Sequence, residues 1–327
     1  MAVKSNLEAV RDTIDQLMAE DASIMLMGED VEEGGVFRAT EGLLKKYGRN
    51  RIMDTPLAES SIFGVSIGAS LNGLRPIAEI QFADFILPAV NQIISEAAKF
   101  RYRSAGDWSC PLVIRAPYGG GIHGGLYHSQ SLEQLFTHQP GLKVVAPCTP
   151  YDMKGLLRAA VRDPDPVIYF EHKRTYRLIR GEVPDEPYEI PIGKAEVRRE
   201  GGDLTVFSYG LAMHMCLEAA ETLASEDGVQ ATVVDLRTLS PLDRETILET
   251  AKATGKILIV HEDNLTGGLG GEIAALIAEH AFDYLDGPIM RLGGPDVPAV
   301  PFNHVLEAFY MPSPAKIAAA MRTLAAY

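Results

Sequence analysis

The acid Glu59 is the residue of this sequence on which catalytic chemistry can most directly be built. It lies in the segment 51–82, where Thr55-Pro56 predicts a helix start, a capping hydroxyl followed by proline at the first helical position. A capping box from Thr55 would place its acid at position 58, which is Ala58, so Glu59 does not have that role. The pattern alone favours a simpler structural role, an acid stabilised by the helix dipole.

Two glycines follow Glu59 at helical spacing. Gly64 and Gly68 are four residues apart and therefore share one helix face. Each costs about 1 kcal/mol of helix stability relative to alanine. The sequence therefore predicts that something large, either a helix or a ligand, closely approaches this face.

A second candidate region is the glycine-rich run 119–124, which fits the pattern G-x-G-x-x-G after a predicted strand. A dinucleotide site would also require a helix opening at Gly124 and an acid about 20 residues further on. Neither is present, so the run is interpreted as a flexible loop beside a cleft. His128 follows it, and His123 lies within it. A histidine in a polar loop is usually a surface residue, and neither has metal-ligand spacing to another His or Cys.

Composition excludes several classes of partner. The 327 residues include 30 Lys and Arg against 44 Asp and Glu, a net charge of −14, which argues against nucleic acid or an anionic membrane surface. The N-terminal segment predicts an acidic amphipathic helix, not a signal or transit peptide, and no apolar run has the length of a membrane span. Three cysteines without C-x-x-C spacing fit a reducing compartment. The chain as given is expected to be cytoplasmic.

Short apolar strands alternate with helices along the whole sequence. This alternation predicts an α/β fold with parallel sheets covered by helices on both faces. It is interrupted once, by a segment rich in proline and acids. We therefore predict two α/β domains, 1–182 and 195–327, joined by a linker at 183–194.

Several segments resemble a known family. The segment around Glu59, DTPLAESSIFGVSIGAS, is similar to the cofactor-activating segment of the beta subunits of thiamine diphosphate-dependent 2-oxo acid dehydrogenases. The resemblance extends over nearly the whole chain, through GEDVEEGGVFRATEGL (28–43), AEIQFADFILPAVNQIISEAAKFRYRSAG (78–106), YHSQSLEQLF (127–136), PGLKVVAPCTPYDMKGLL (140–157), VVDLRTLSPLD (233–243) and GPDVPAVPF (294–302).

The resemblance implies a fold and a set of site residues. The two domains would be the transketolase-like pyrimidine-binding domain and the transketolase C-terminal domain. Glu59 would bind N1′ of the aminopyrimidine and favour the imino form that takes the C2 proton, a role suited to a carboxylate sharing a proton with its partner. Leu57, Gln81 and Phe85 would line the pyrimidine pocket, with Phe85 on the ring, although core packing explains Phe85 equally well. His128 would bind the 2-oxo acid carboxylate or assist acyl transfer to lipoamide.

The resemblance also implies partners and metals. The sequence has no Walker A motif and no GDG…N pattern for magnesium and diphosphate. The diphosphate and Mg2+ would therefore be held by an alpha subunit, in a heterotetramer of two alpha and two beta subunits (α2β2). A structural potassium ion would be bound by backbone oxygens of Leu112, Ala160 and Asp163 and a side-chain oxygen of Asp165, ligands that suit a hard cation.

The resemblance predicts a decarboxylase component acting on small 2-oxo acids, with reductive acylation of lipoyl groups on a dihydrolipoyl acyltransferase core. The segments 79–106 and 124–131 are most similar to the branched-chain type, and the pyruvate and acetoin versions are the alternatives. An alternative of another class is a non-catalytic docking subunit for the acyltransferase. Retention of Glu59, Phe85 and His128 argues against that alternative.

Overall fold

The computed structural model describes all residues, Met1–Tyr327, in two compact units. The first unit comprises Met1–Tyr118 and Leu135–Ile192, and the second comprises Gly119–Gln134 and Gly193–Tyr327. The break after Ile192 falls inside the segment 183–194 that the sequence marks as a linker. The inclusion of Gly119–Gln134 in the second unit was not predicted.

The first unit is built on a parallel sheet, as the alternation of strands and helices predicts. Six strands of this unit pair in the order β6-β7-β5-β4-β2-β3, and β1 pairs antiparallel with β8. The strands of this half of the chain are β1 (Ala2–Ser5), β2 (Ile24–Gly28), β3 (Ile52–Asp54), β4 (Arg75–Glu79), β5 (Val113–Tyr118), β6 (Lys143–Val145), β7 (Val167–His172) and β8 (Arg180–Val183). Its α-helices are α1 (Asn6–Glu20), α2 (Leu43–Tyr47), α3 (Glu59–Leu71), α4 (Phe100–Arg103), α5 (Glu133–Thr137), α6 (Pro150–Arg162) and α7 (Thr175–Leu178).

Helices cover both faces of this sheet. Leu26 of β2 joins a core cluster with Ile14 of α1 and Leu156 of α6. The next residue, Met27, points to the opposite face, because side chains alternate along a strand. There its sulfur lies 2.8 Å from the hydroxyl oxygen of Ser66 in α3. The helix that begins at Glu59 is therefore packed on the sheet by one side.

Two elements near Glu59 differ from the sequence prediction. The helix α3 begins at Glu59 and not at Pro56, with Ala58 as its N-cap. The N–H of Thr55 donates to the carbonyl of Gly28, so the chain stays extended beyond β3. The long helix predicted after Phe82 is irregular: a 3-10 segment Ala83–Ala89, a π segment Asn91–Glu96 and a 3-10 turn Ala97–Lys99 precede α4. Pro88 inside the first segment has no N–H to donate, which interrupts an α-helix.

The second unit has a five-stranded sheet in the order β14-β13-β10-β11-β9, parallel except for the edge strand β9. On one face α8 and α12 pack through Cys216 and Met321. On the other, the Thr205 hydroxyl of β10 donates to a carbonyl of α9. No helix of the protein is long and apolar enough to cross a membrane. The elements are β9 (Glu196–Arg199), β10 (Leu204–Ser208), α8 (Gly210–Glu226), β11 (Ala231–Asp235), β12 (Thr238–Ser240), α9 (Arg244–Thr254), β13 (Ile257–Asn264), α10 (Leu269–His280), β14 (Met290–Gly294), α11 (His304–Tyr310) and α12 (Pro314–Ala325).

Candidate active site

The carboxyl ends of β2, β3 and β4 place four polar side chains at one edge of the first sheet. These strands pair in parallel, so the residues after them emerge at the same edge, where ligands bind in open α/β sheets. Glu29 and Asp30 follow β2, Glu59 follows β3 after a short extended segment, and Gln81 follows β4. The strand pairing therefore brings together Glu59 and Gln81, which the sequence had assigned to the same site.

Glu59 is half-buried at the first position of α3. No side chain caps this helix start, so its free N–H groups and the helix dipole favour a negative group here. Burial raises the pKa of the neighbouring Glu29, and the charges of Glu59 and Asp30 raise it further. Three carboxyl groups share this edge of the sheet, so a ligand that brings a hydrogen-bond donor would be stabilised there.

The other predicted cofactor-binding residues surround this edge in different ways. The Gln81 amide donates to Oδ2 of Asp30 at 2.8 Å. Leu57 is 79% exposed, just before α3. Phe85 is half-buried and meets Phe82 edge to face, with ring centroids 5.6 Å apart. A protonated aminopyrimidine ring has both apolar faces and polar edges, so these side chains and Glu59 fit such a group.

A buried hydroxyl at this edge, that of Thr55, has no hydrogen-bond partner in the chain. Thr55 lies four residues before Glu59. Buried hydroxyls are normally hydrogen-bonded, and leaving one unpaired costs about 1–3 kcal/mol. An orphaned hydroxyl beside Glu59 is what a ligand-binding edge would leave when considered without its ligand.

A buried ionic network lies beneath this edge. Arg115 of β5 donates from Nε and Nη2 to the two oxygens of Glu171 at 2.6 and 2.8 Å, and from Nη1 to Glu79. The Tyr176 hydroxyl donates to the same Glu171 carboxylate at 2.7 Å. Burial raises the pKa of Glu79, and Arg115 opposes that rise. A bidentate contact of this kind fixes geometry as well as charge.

This network supports the loop that carries Glu29 and Asp30. A Cβ at Gly35 would lie 2.7 Å from Oε1 of Glu79, and one at Gly28 would lie 2.6 Å from the Glu79 carbonyl oxygen. The loop backbone therefore rests directly on Glu79, and only glycine fits at these two positions. The sequence signal for this support was a charged residue inside each of two apolar strands, β5 and β7.

His128 lies in the second unit, in a loop that we call the glycine loop (residues 119–130). The loop is closed where the N–H of Gly119 donates to the carbonyl of Gln130 at 3.1 Å. Its only helical part is a three-residue 3-10 turn, Gly125–Tyr127, so no helix opens at Gly124 and the rejection of a dinucleotide site holds. His128 is half-buried directly after that turn. A Cβ at Gly124 would lie 2.7 Å from Cβ of His128, so the loop backbone packs against this histidine.

The second unit also buries two carboxyl groups whose ionisation is unfavourable. Burial, together with the nearby charge of Asp263, raises the pKa of Glu133 to about 8, against a hydrogen bond from the Tyr209 hydroxyl at 2.6 Å. Burial raises the pKa of Asp263 to about 6. Burial also lowers the pKa of His261 to about 4, so this histidine supplies no positive charge at neutral pH.

These pKa values predict how stability changes in mildly alkaline solution. The folded pKa of Glu133 lies above its ordinary value of 4.5, so its stabilisation is complete below that value and is lost as pH rises through about 8. Between about pH 6.5 and about pH 8.5 we expect a loss on the order of 2 kcal/mol in unfolding free energy, reduced to a fraction of this in Glu133→Gln. Thermal unfolding across this range measures the effect.

Glu249 is an exposed acid of the same unit, so Glu249→Gln is the matched control for Glu133→Gln. It should keep the pH dependence of the unmodified protein. Asp263 and His261 contribute little in this range, because it lies above both of their folded pKa values. Parallel pH profiles for Glu133→Gln and the unmodified protein would contradict the assignment.

The residues suggested for potassium lie at one corner of the first unit. The carbonyl of Leu112 accepts from the N–H of Val167, and that of Ala160 accepts from the N–H of Asp163 at 3.3 Å. Each carbonyl keeps a second lone pair for a cation. The side-chain carboxylates of Asp163 and Asp165 each contact a cationic side chain. Lys143 Nζ lies 2.6 Å from Asp163, and Nε of Arg101 lies 2.5 Å from Asp165.

The fold agrees with comparisons to known proteins. The family described as "Transketolase, pyrimidine binding domain" matches residues 4–179 of this chain. The family described as "Transketolase, C-terminal domain" matches residues 193–317. A solved structure described as split gene transketolase, an inactive beta4 tetramer, has the same fold, with a TM-score of 0.80 at 24% identity over 99% of this chain and 98% of that one. The chain thus has the two-domain architecture of transketolase-type enzymes.

Two curated relatives narrow this class. The chain is 60% identical to the 2-oxoisovalerate dehydrogenase subunit beta of Bacillus subtilis (strain 168), over 100% of both chains. It is 48% identical to the pyruvate dehydrogenase E1 component subunit beta of Acholeplasma laidlawii, over 99% of both. The chain belongs to the family of 2-oxo acid dehydrogenase beta subunits, thiamine diphosphate-dependent components that work with an alpha subunit.

Proposed function

We propose that this chain is the beta subunit of a branched-chain 2-oxo acid dehydrogenase. With its alpha subunit it would decarboxylate the 2-oxo acids of valine, leucine and isoleucine and transfer the acyl group to lipoyl groups. The observation that carries the proposal is the half-buried Glu59, which lies at the start of α3 at the carboxyl edge of the sheet. The 60% identity to a 2-oxoisovalerate dehydrogenase subunit favours this substrate class over pyruvate.

Glu59 would hold a proton against N1′ of the aminopyrimidine ring. The bound cofactor supplies the electron sink that decarboxylation requires. Glu59 is suited to its part because it is half-buried beside the carboxyl groups of Glu29 and Asp30, at an edge that favours a ligand with a hydrogen-bond donor. Phe85 would contact the ring face, and Leu57 and Gln81 would bound the pocket, Gln81 being oriented by Asp30.

His128 would act on the substrate side. A histidine can donate to the carboxylate of a 2-oxo acid, or carry a proton during acyl transfer to the lipoyl sulfur. Its half-buried position in a closed loop limits its freedom, which suits either task. Comparing the decarboxylation rate with the rate of lipoyl acylation in His128→Ala separates the two roles. If His128 serves only acyl transfer, the variant should still decarboxylate the 2-oxo acid at the unmodified rate.

The remaining part of the cofactor site would belong to the alpha subunit. This sequence lacks the GDG…N pattern, so Mg2+ and the diphosphate would be bound by the partner. An open helix face supports a close partner: a Cβ at Gly68 would meet no atom within 4 Å, one at Gly64 would meet a single atom at 3.9 Å, and Val65 is 55% exposed. Two alpha and two beta subunits would form the assembly, which a sedimentation measurement of the co-expressed chains tests.

Two further proposals concern binding elsewhere on the chain. Potassium would be bound by backbone oxygens of Leu112, Ala160 and Asp163 and a side-chain oxygen of Asp165, and equal thermal stability in KCl and NaCl would contradict it. The acyltransferase core would contact the second unit, where Asp283 and Asp286 are exposed. Unchanged core binding after charge reversal of both acids would contradict that placement.

A comparison of substrates tests the proposed function most simply. The chain co-expressed with its alpha subunit is expected to turn over 3-methyl-2-oxobutanoate with a kcat/KM at least about tenfold above that for pyruvate, because a pocket shaped for a branched chain gains about 1–3 kcal/mol from the extra methyl groups. Preference for pyruvate or acetoin would select the corresponding alternative. No turnover of any of these by the assembled enzyme would favour the docking subunit.

A further inference from the structure

A single carboxylate of the second unit, that of Glu307, binds the backbone of the glycine loop. Glu307 lies on α11 and is 2% exposed. Its Oε1 accepts the N–H of Gly121 at 2.8 Å and the N–H of His123 at 3.2 Å. Its Oε2 lies 2.5 Å from Nδ1 of His123, a charge contact, and accepts no hydrogen bond. Two backbone donors and one side chain of the loop therefore converge on one carboxylate.

The loop needs such a contact to keep its conformation. His123 has a φ of +58°, in the left-handed region that residues with a side chain rarely adopt, and Gly121 has a φ of +78°. These two residues direct their N–H groups at the carboxylate, so their unusual backbone is held by charge-assisted hydrogen bonds.

A second acid holds the preceding residue of the loop. The N–H of Gly120 donates to Oε2 of Glu262 at 3.0 Å. A Cβ at Gly120 would lie 2.7 Å from the sulfur of Met311, directly after α11. Three backbone N–H groups of the loop, those of Gly120, Gly121 and His123, are therefore bound by acids from the rest of the second unit. Glu307 binds two of the three.

We propose that Glu307 is a positioning residue, which fixes the glycine loop and through it the placement of His128 for the reaction of the 2-oxo acid. The reaction part of this inference rests on the proposed function of His128. Glu307 itself is assigned no contact with a reacting atom, because it is 2% exposed and its carboxylate faces the loop. Its effect on turnover should therefore depend on His128 being present.

The test uses the enzyme assembled with its alpha subunit and the change Glu307→Gln, which keeps an oxygen acceptor and removes the charge. Hydrogen exchange followed by mass spectrometry should show about tenfold faster exchange in peptides from the glycine loop. The kcat/KM for 3-methyl-2-oxobutanoate should fall about tenfold in the same variant. In a His128→Ala background, the same change should cause no further loss, since residues acting through one another are not additive.

Controls separate this role from a general loss of stability. Glu249→Gln, an exposed acid of the same unit, should change neither exchange nor turnover. His123→Ala keeps the two backbone donors and removes the imidazole, so loop exchange should rise and kcat/KM should fall by less than in Glu307→Gln. This variant replaces Glu307→Gln in the test if Glu307→Gln does not assemble.

Three outcomes would overturn the proposal: loop exchange equal to that of the unmodified enzyme in both variants, faster exchange with unchanged turnover, or additive losses with His128→Ala. Absence of all 2-oxo acid turnover in the unmodified assembly would instead refute the proposed function. The exchange measurement would still report on Glu307 in that case.

Discussion

Replacing Glu59 by glutamine is expected to lower the decarboxylation rate of the assembled enzyme by roughly 100-fold or more, the usual contribution of a positioned acid–base group. Glutamine has nearly the same shape, and Glu59 is only half-buried at a helix start, so α3 and the assembly should persist. What is lost is the carboxylate that shares a proton with the ring nitrogen. Steady-state rates with 3-methyl-2-oxobutanoate measure the effect, and sedimentation checks that the assembly is intact.

A matched control for this change is Glu186→Gln, an exposed acid of the same unit that should leave the rate unchanged. Turnover of Glu59→Gln at the unmodified rate, in an assembly of normal size, would reject the catalytic role of Glu59. Loss of the assembly would mean that Glu59 is a structural residue, as its pattern in the sequence alone suggested.

The largest loss of stability is expected from Arg115→Met. Arg115 is fully buried, and the change leaves the carboxylates of Glu79 and Glu171 without their cation. Breaking a buried ion pair by removing one partner costs about 3–5 kcal/mol, because the remaining charge is buried and uncompensated. We expect the thermal unfolding temperature to fall by about 5–15 °C, from the usual relation between stability and Tm. Calorimetry of the purified chain measures it.

Arg49→Met provides the comparison for Arg115→Met. Arg49 pairs with Glu32 at 3.1 Å, but its side chain is 80% exposed, and such surface pairs contribute about 0–1 kcal/mol. The two variants remove the same group from opposite environments. Equal small shifts in Tm would show that the network beneath the site does not stabilise the first unit.

The fold was predictable because its signals are local. Short strands such as β2 and β7 are buried along their entire length, and the sequence shows most of each as an apolar run between helices. The order of strands and helices then restricts the sheet to a parallel one, which the structure confirms in the first unit. Element boundaries were less accurate where a tertiary contact decides them, as at the start of α3, where Thr55 bonds to Gly28.

The candidate site could be predicted only in part. Glu59, Gln81 and His128 were assigned to it through resemblance, which stays a prediction, whereas Glu29 and Glu307 were not singled out. Glu29 matters only because parallel pairing brings the ends of β2 and β3, and so Glu29 and Glu59, to the same edge. Glu307 is 184 residues from His123, and no pattern in one sequence reports a contact at that separation. Arg115 did leave a signal, a charge inside an apolar strand, but its two partners lie on other strands.

The most direct test of the account is the distance between Glu59 and the cofactor in the assembled enzyme. A crystal structure of the chain with its alpha subunit and thiamine diphosphate should place one carboxylate oxygen of Glu59 about 2.6–3.2 Å from N1′ of the aminopyrimidine ring, the range for direct proton sharing. A Glu59 side chain directed into solvent, with N1′ bound by another residue, would contradict the account.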